Sequence, residues 1–265
     1  MDGDTNLSLD QTLVNAIRQA FEYYKLNAPP IAAEKLVRYI GLIQKWNRTY
    51  NLTAIKEPRE ILTHHIFDSL SVLNATDTFF TKRDLTQPTV LDVGSGAGLP
   101  GVVMAVLRSN YQVTCVDAVE KKVSFIRAVA TGLQLPNLSA MHARVETLAP
   151  TRSDLVISRA FASMADFVQL ASQHVRDNGA LAAMKARHVE AELEALGPEE
   201  STGFVRSIEK LTVPDLAASR CLVWLRKEQK KWRKPRVPSF QGFFVLPIKK
   251  VVWVKPQQPS TWQRH

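Results

Sequence analysis

The sequence predicts an α/β fold: a doubly wound, mostly parallel sheet that ends in an antiparallel pair and is preceded by a helical cap. Three observations carry this expectation. At residues 89–101 an apolar, β-branched-rich run passes directly into a glycine-rich turn and then a helix start. Strand-like and helix-like runs alternate from there to Lys185, the pattern of parallel βαβ units. The last two strand-like runs, Phe204–Val213 and Arg220–Arg226, are joined only by a short loop containing Pro214. A link that short suits antiparallel neighbours, because parallel strands need a long crossover.

Each element follows in order. Residues 10–25 carry Leu13, Ile17, Phe21 and Tyr24 at helical spacing, and Pro29 and Pro30 break the chain. Ile31–Trp46 is a second helix with Leu36, Tyr39, Ile40, Ile43 and Trp46 on one face. A third is expected from Pro58 to Leu73, and Asp77–Pro88 reads as a polar connector. Thr89–Val93 is a buried strand, followed by a helix near 99–109 and a strand Gln112–Asp117. A helix bearing Val123, Ile126, Val129 and Leu133 leads to the strand Leu138–His142. The strand Asp154–Ser158, a helix near 163–176, a turn at Asp177-Asn-Gly179 and the strand Ala180–Lys185 complete the alternation. Three regions result: a cap, 1–77; a core, 78–228; and an extension, 229–265.

The turn Gly94-Ser-Gly-Ala-Gly98 is where chemistry is expected. Glycines there allow positive φ and a close approach of a ligand to the backbone. Pro100 sits at the helix start, and that helix is expected to offer free N–H groups to a ligand. Gly96-x-Gly98-x-x-Gly101 fits the dinucleotide fingerprint, which alone is a weak signal. The longer frame, Asp92-x-Gly94-x-Gly96-x-Gly98, resembles the first motif of class I methyltransferases, which bind S-adenosyl-L-methionine. Asp117, 21 residues past Gly96, stands where either class places a ribose-binding acid. The antiparallel ending favours the methyltransferase over a nicotinamide dehydrogenase.

Further motifs narrow the resemblance. Trp46-Asn-x-x-x-Asn-Leu-Thr53, His65-Ile-x-Asp-Ser69, Leu91–Gly101, Lys121-Lys-Val-x-Phe125, Ala143-Arg-Val-Glu146 and Ser158-Arg-Ala-Phe-Ala162 occur in that order. Together they resemble the glucose-inhibited division protein B family, the guanine-N7 methyltransferases of small-subunit (16S) ribosomal RNA, over roughly residues 10–226. The resemblance implies a methyltransferase acting on small-subunit ribosomal RNA or the assembled subunit. It implies S-adenosyl-L-methionine as cofactor, held by Asp92, Gly94, Gly96, Gly98, Leu99, Asp117, Val145, Glu146 and Arg159. Arg144, Arg159, Asn51 and Lys185 are the candidates for acting on the acceptor. Arg159, at the end of the fourth strand, is placed to hold a carboxylate or phosphate with its planar fork; the alternative is a surface salt bridge. Lys185 either neutralises phosphate or is solvated, and Asn51 either caps a helix or reaches the guanine. Phe161 stacks on the base or belongs to the core. His64, His65 and Asp68 share a helical turn, but no third ligand is evident, so a hydrogen-bonded contact between cap and core is expected rather than a metal.

Composition bounds the rest. Hydrophobic content of 45% and charged content of 22% suit a soluble globular chain, and no apolar run is long enough to span a membrane. The first residues read as no secretory signal, and Cys115 and Cys221 as reduced thiols, so a cytoplasmic protein is expected, and a monomer is the expected state. Of the net charge of +9, Arg226–His265 contributes +10, with 11 Lys/Arg and only Glu228 in opposition. The other 225 residues hold 23 basic and 24 acidic side chains, a net of −1. The basic character therefore belongs to the C-terminal segment, where Lys230-Lys-Trp-Arg-Lys-Pro-Arg236 interleaves cations with an aromatic, as single-stranded RNA binding favours. Two further readings stay open: a ribosome-assembly RNA-binding protein with a vestigial cofactor site, and a small-molecule methyltransferase.

Overall fold

The computed structural model describes residues 2–161, 163–186, 189–198 and 203–227. The extension 229–265 lies outside the described residues. The N-terminal helices are α1 (Asp2–Tyr23) and α2 (Ala32–Tyr50). Then come α3 (Pro58–Ile61), a π-helical turn (Leu62–Phe67), α4 (Asp68–Leu70) and α5 (Leu73–Thr81). The single helix expected from Pro58 to Leu73 is thus interrupted: the π turn fits an extra residue into the spiral at His64 and His65. The connector expected from Asp77 is still helix to Thr81. Asp77 is held there by Arg108, whose Nε donates to it at 2.9 Å, and by the Tyr111 hydroxyl.

The alternating half follows: β1 (Thr89–Val93), α6 (Gly101–Leu107), β2 (Gln112–Asp117), α7 (Glu120–Gly132), β3 (Leu138–His142) and β4 (Ser153–Ser158). α8 (Met164–Ala171), β5 (Val175–Lys185), α9 (Val189–Glu194), β6 (Phe204–Leu211) and β7 (Arg220–Lys227) complete it. α9 is a helix that the sequence pattern does not announce. The turn expected at 177–179 lies inside β5, as an irregularity where the β4–β5 register shifts. Gly179 is needed there, since a Cβ would stand 2.9 Å from the Asp154 carbonyl.

The sheet order is β3-β2-β1-β4-β5-β7-β6. β1 to β5 run parallel, and β7 pairs antiparallel with both β5 and β6. The order reverses between β1 and β4, which opens a crevice at the carboxyl ends of those strands. Both faces of the central strands are covered, which is why Thr89–Val93 is a continuous apolar run apart from Asp92. α6 is buried on every side, so it needs cover beyond the sheet. α2 and α4 supply that cover. N-terminal helices and sheet consequently share one apolar core, in which Tyr39, Ile43, Val103 and Ile126 are all fully buried.

Candidate active site

The turn after β1 is wound on itself. Gly94 N–H and Ser95 N–H donate to Val116 O at the end of β2, and Gly98 N–H and Leu99 N–H donate to Ser95 O. Gly94, Gly96 and Gly98 have φ of 66°, 60° and 92°, in the left-handed region where a side chain is strained. Their reasons differ. A Cβ on Gly94 would meet Ala160 Cβ at 2.9 Å, and one on Gly98 would meet Val102 Cγ2 at 2.5 Å. These two, like Gly101, whose Cβ would meet Cys115 Sγ at 2.6 Å, are required by packing. Only Gly96 of the turn points its missing Cβ into open space, with nothing within 4 Å.

Asp117 ends β2 beside that space. Its Oδ2 accepts from Gly96 N–H at 2.9 Å and its Oδ1 from Val119 N–H at 2.9 Å, which fixes the carboxylate against the turn. Each oxygen keeps a second lone pair for a hydroxyl of a ligand. Asp92 is fully buried beneath α6. Its Oδ2 accepts from Gly101 N–H at 2.8 Å, and Oδ1 has no hydrogen-bond partner among the described residues. Burial pushes its carboxyl up to about 7. The helix start expected to offer free N–H groups is therefore already engaged: Gly101 N–H is taken by Asp92 and Val102 N–H by Gly98 O. Leu99 is buried in the core, with Pro100 following in a cis peptide bond. From the cap, the buried Tyr39 hydroxyl donates to Ala97 O and ties α2 to the turn.

The loop after β3 lies next to Asp117, since Ala143 N–H donates to Asp117 O at 3.2 Å. Val145 is buried in the same apolar cluster as Leu91, Val93 and Val116, and its carbonyl accepts from the buried His174 Nε2 at 2.9 Å. Glu146 and Arg144 are exposed and meet each other at 3.4 Å. Turn, Asp117 and this loop form one contiguous set.

Arg159 and Lys185 are brought together elsewhere, in a cavity of about 340 Å³ beyond the ends of β4 and β5. Its centre is Asp68, 3% exposed, whose two oxygens each receive a guanidinium: Arg159 Nη1 at 3.2 Å and Arg220 Nε at 3.1 Å. Arg159 Nη1 also donates to His64 O. Arg159, with its side chain 26% exposed, is one of two guanidinia on the buried Asp68. Lys185 is neither solvated nor free, because its Nζ sits 2.9 Å from Glu192 Oε2 and donates to Phe161 O. Glu192 comes from the unanticipated α9. His65 is buried and bonded at Nε2 to Thr53 Oγ1, 2.9 Å away. Burial, and next the Arg159 charge, push it down to about 4, so it is neutral at physiological pH. The cap-to-core contact expected of this helix comes from Asp68, through its ion pairs to Arg159 and Arg220, whereas His65 bonds within the N-terminal helical region. Among the described residues no group of three potential metal ligands occurs.

Asn51 stands apart. It is the exposed, left-handed C-cap of α2 and lines a different cavity, with Gln44, Asn47, Arg48 and Lys56. The structure places this residue at the helix end. Its neighbour Asn47 does the local work: Asn47 Oδ1 accepts from Thr53 N–H and Nδ2 donates to Ile55 O. Phe161 packs beside Phe167, with ring centroids 5.1 Å apart. Arg220 was missed by sequence reasoning, because an arginine paired with an aspartate 152 residues away leaves no spacing signal.

This strand order, with a glycine turn after β1, an acid after β2 and an antiparallel end pair, defines a class I methyltransferase architecture. The model of the family described as rRNA small subunit methyltransferase G matches residues 32–223. Two Bordetella proteins named Ribosomal RNA small subunit methyltransferase G are each 49% identical to this chain. The one from Bordetella petrii aligns over 213 residues, 80% of this chain and 82% of its own. The one from Bordetella pertussis aligns over 214 residues, 80% and 93%. A Leptothrix cholodnii protein of that name is 47% identical over 194 residues, 73% and 86%. The chain belongs to the rRNA small subunit methyltransferase G family, the one its motifs resemble. It is a methyltransferase, with S-adenosyl-L-methionine as its cofactor. The nicotinamide alternative falls with that. No helix among the described residues is long and apolar enough to cross a membrane.

Proposed function

We propose that this protein methylates N7 of a guanine in small-subunit ribosomal RNA, in the cytoplasm and as a monomer. The observation that carries the reading is the open direction at Gly96 beside the fixed Asp117 carboxylate, in a chain matched to this family over residues 32–223. The residues fit the cofactor: Asp117 would accept from ribose hydroxyls, Gly96 would leave room, and the loop Val145–Glu146 would take the adenine side. Asp92 and Gly98 act indirectly by holding the turn. The bound cofactor supplies an electrophilic methyl on a sulfonium.

The acceptor chemistry asks little of the protein. N7 of guanine carries a lone pair and no proton, so no general base is needed. The N7 pair forms the new N–C bond while sulfur keeps the pair of the broken S–C bond, and one positive charge passes from sulfur to base. Net charge is conserved, so rate rests on in-line alignment. The cavity beyond β4 and β5 supports this reading. Arg159 and Arg220, locked by Asp68, give a rigid positive wall for acceptor phosphates, and His65 stays neutral. Lys185 supports the wall through Glu192, and Arg144 is exposed in the loop after β3, where it pairs with Glu146.

The test is methyl transfer from labelled S-adenosyl-L-methionine to total RNA of a strain lacking the protein, followed by nucleoside analysis. Label in 7-methylguanosine of the small-subunit RNA is expected. Label confined to small molecules would replace the acceptor class, and absence of transfer would leave only an assembly role.

A further inference from the structure

The antiparallel end of the sheet carries charge away from the catalytic crevice. Lys185 pairs with Cys221 at the crevice end, whereas Ala180 pairs with Arg226 towards the opposite pole. Seven residue-to-residue steps along β5 lead from Asn178 to Lys185, which places that pole roughly 23 Å from the crevice at about 3.3 Å per step. Five cations gather there around the start of β5. Arg152, Arg176 and Lys227 line a cavity of about 640 Å³ together with Asp177. Lys227 Nζ donates to Val175 O at 2.7 Å. Arg83 reaches the same strand from the end of α5, donating from Nε to Asn178 O at 2.9 Å with its guanidinium 3.8 Å from the Phe79 ring centroid. Arg226 lies over Trp224, whose ring stacks on Phe79.

The acids at this pole do not balance these charges. Asp154 is buried and held by Arg176 at 2.7 Å and by Thr89. Glu209 accepts from Trp224 Nε1, and Asp177 is exposed. Among the described residues, Arg83, Arg152, Arg226 and Lys227 have no carboxylate within ion-pair distance; of the five, Arg176 alone has one. Arg83 is pushed down by burial and then by the Arg226 charge, so two guanidinia of like sign are held close, with Glu209 acting on Arg226 only from beyond ion-pair distance. Two of these planes are fixed against aromatic rings, which prepares them for a phosphate rather than for bulk water.

We propose that this pole, formed by Arg83, Arg152, Arg176, Arg226 and Lys227, docks the phosphate backbone of the RNA substrate at a distance from the reacting guanine. The proposal rests on the rRNA methyltransferase reading. RNA is favoured over an acidic protein because the sequence continues directly from Lys227 into 38 residues holding nine Lys/Arg and one acid, with aromatics among the cations. An anchor this remote lets a long, folded RNA be told from a free nucleoside, which cannot reach both places.

The test uses the full chain carrying Arg152→Gln and Lys227→Gln, with binding to naked small-subunit ribosomal RNA measured over a salt series. Each phosphate that is no longer neutralised flattens the slope of log K against log salt by about 0.7. The double variant is therefore expected to flatten it by about 1.4 units, and the Arg152→Lys/Lys227→Arg variant not at all. Cofactor affinity and turnover at saturating RNA stay at the wild-type level. Should the double variant not fold, Arg152→Gln alone, on an exposed side chain, is expected to flatten the slope by about 0.7. An unchanged slope and affinity in a folded variant overturns the proposal. So does a defect seen only on the assembled subunit and not on naked RNA, which would point to a protein contact. A wild-type chain that neither binds nor methylates ribosomal RNA overturns the functional reading as well, an outcome distinct from a normal wild type with a silent variant.

Discussion

Asp68→Asn isolates the bridge that holds the crevice wall. The wild-type carboxylate is 3% exposed and meets two guanidinia at 3.2 and 3.1 Å. Removing one partner from a buried pair costs about 3–5 kcal/mol. Here the arginine side chains are 26% and 22% exposed, so water recovers part of that cost, and the amide oxygen still accepts from one of them. A loss of about 2–3 kcal/mol is expected, which for a chain of this size lowers Tm by roughly 5–10 °C. Arg159 and Arg220 then lose their common anchor, and KM for RNA is expected to rise about tenfold, a change of about 1.4 kcal/mol. Cofactor affinity is expected to hold, because Asp117 and the glycine turn share no hydrogen bond with Asp68. Denaturant unfolding, calorimetric titration with S-adenosyl-L-methionine and transfer kinetics read the three quantities. A double-mutant cycle with Arg220→Gln is expected to show coupling above about 1 kcal/mol. Additive single effects, or a parallel fall in cofactor affinity, would refute the assignment of Asp68 to the acceptor wall.

Three other outcomes follow from the same geometry. Gly96→Asp adds a side chain into open space at φ 60°, next to the Asp117 carboxylate; it is expected to cost about 1–2 kcal/mol of stability but to abolish cofactor binding in calorimetry. Gly101→Ala, whose Cβ would stand 2.6 Å from Cys115 Sγ, is expected to lose more stability, so equal stabilities for the two would undo the division of the glycines. Two buried groups set opposite pH slopes. His65, down from 6.5 to about 4, contributes stability that is present above pH 6.5 and lost as pH falls towards 4; Asp92, up from 3.8 to about 7, contributes stability that is present below 3.8 and lost as pH rises towards 7. Over pH 4 to 6.5 the two slopes oppose and nearly cancel, so Asp92→Asn should leave a rise of stability with pH, and His65→Gln a fall, each of about 3 kcal/mol over the window; matching unfolding curves for both variants would contradict this. Deleting residues 229–265 is expected to flatten the salt slope of RNA binding by roughly three units, if about four phosphates are contacted, and to spare cofactor binding; an unchanged slope would remove the extension from the RNA interface.

The sequence alone determined the sheet and its turn. Period and composition are local signals, so Thr89–Val93, Gln112–Asp117 and Leu138–His142 are strands over the residues that their apolar and β-branched content marks. The glycine turn and Asp117 were legible because a fixed backbone shape and a fixed crossover length impose a fixed spacing. What the glycines are for was not legible: whether a missing Cβ meets Val102, Cys115 or open space is set by which elements pack above it. The π turn at His64–His65 and the helix α9 were likewise decided by packing against neighbours distant in the chain. The bridge around Asp68 is the clearest case. Asp68, Arg159 and Arg220 come from the cap, the end of β4 and the start of β7, and only the fold brings three isolated charges within hydrogen-bond distance. A buried charge must be paired, and the chain meets that demand wherever topology allows, with no period along the sequence to announce it.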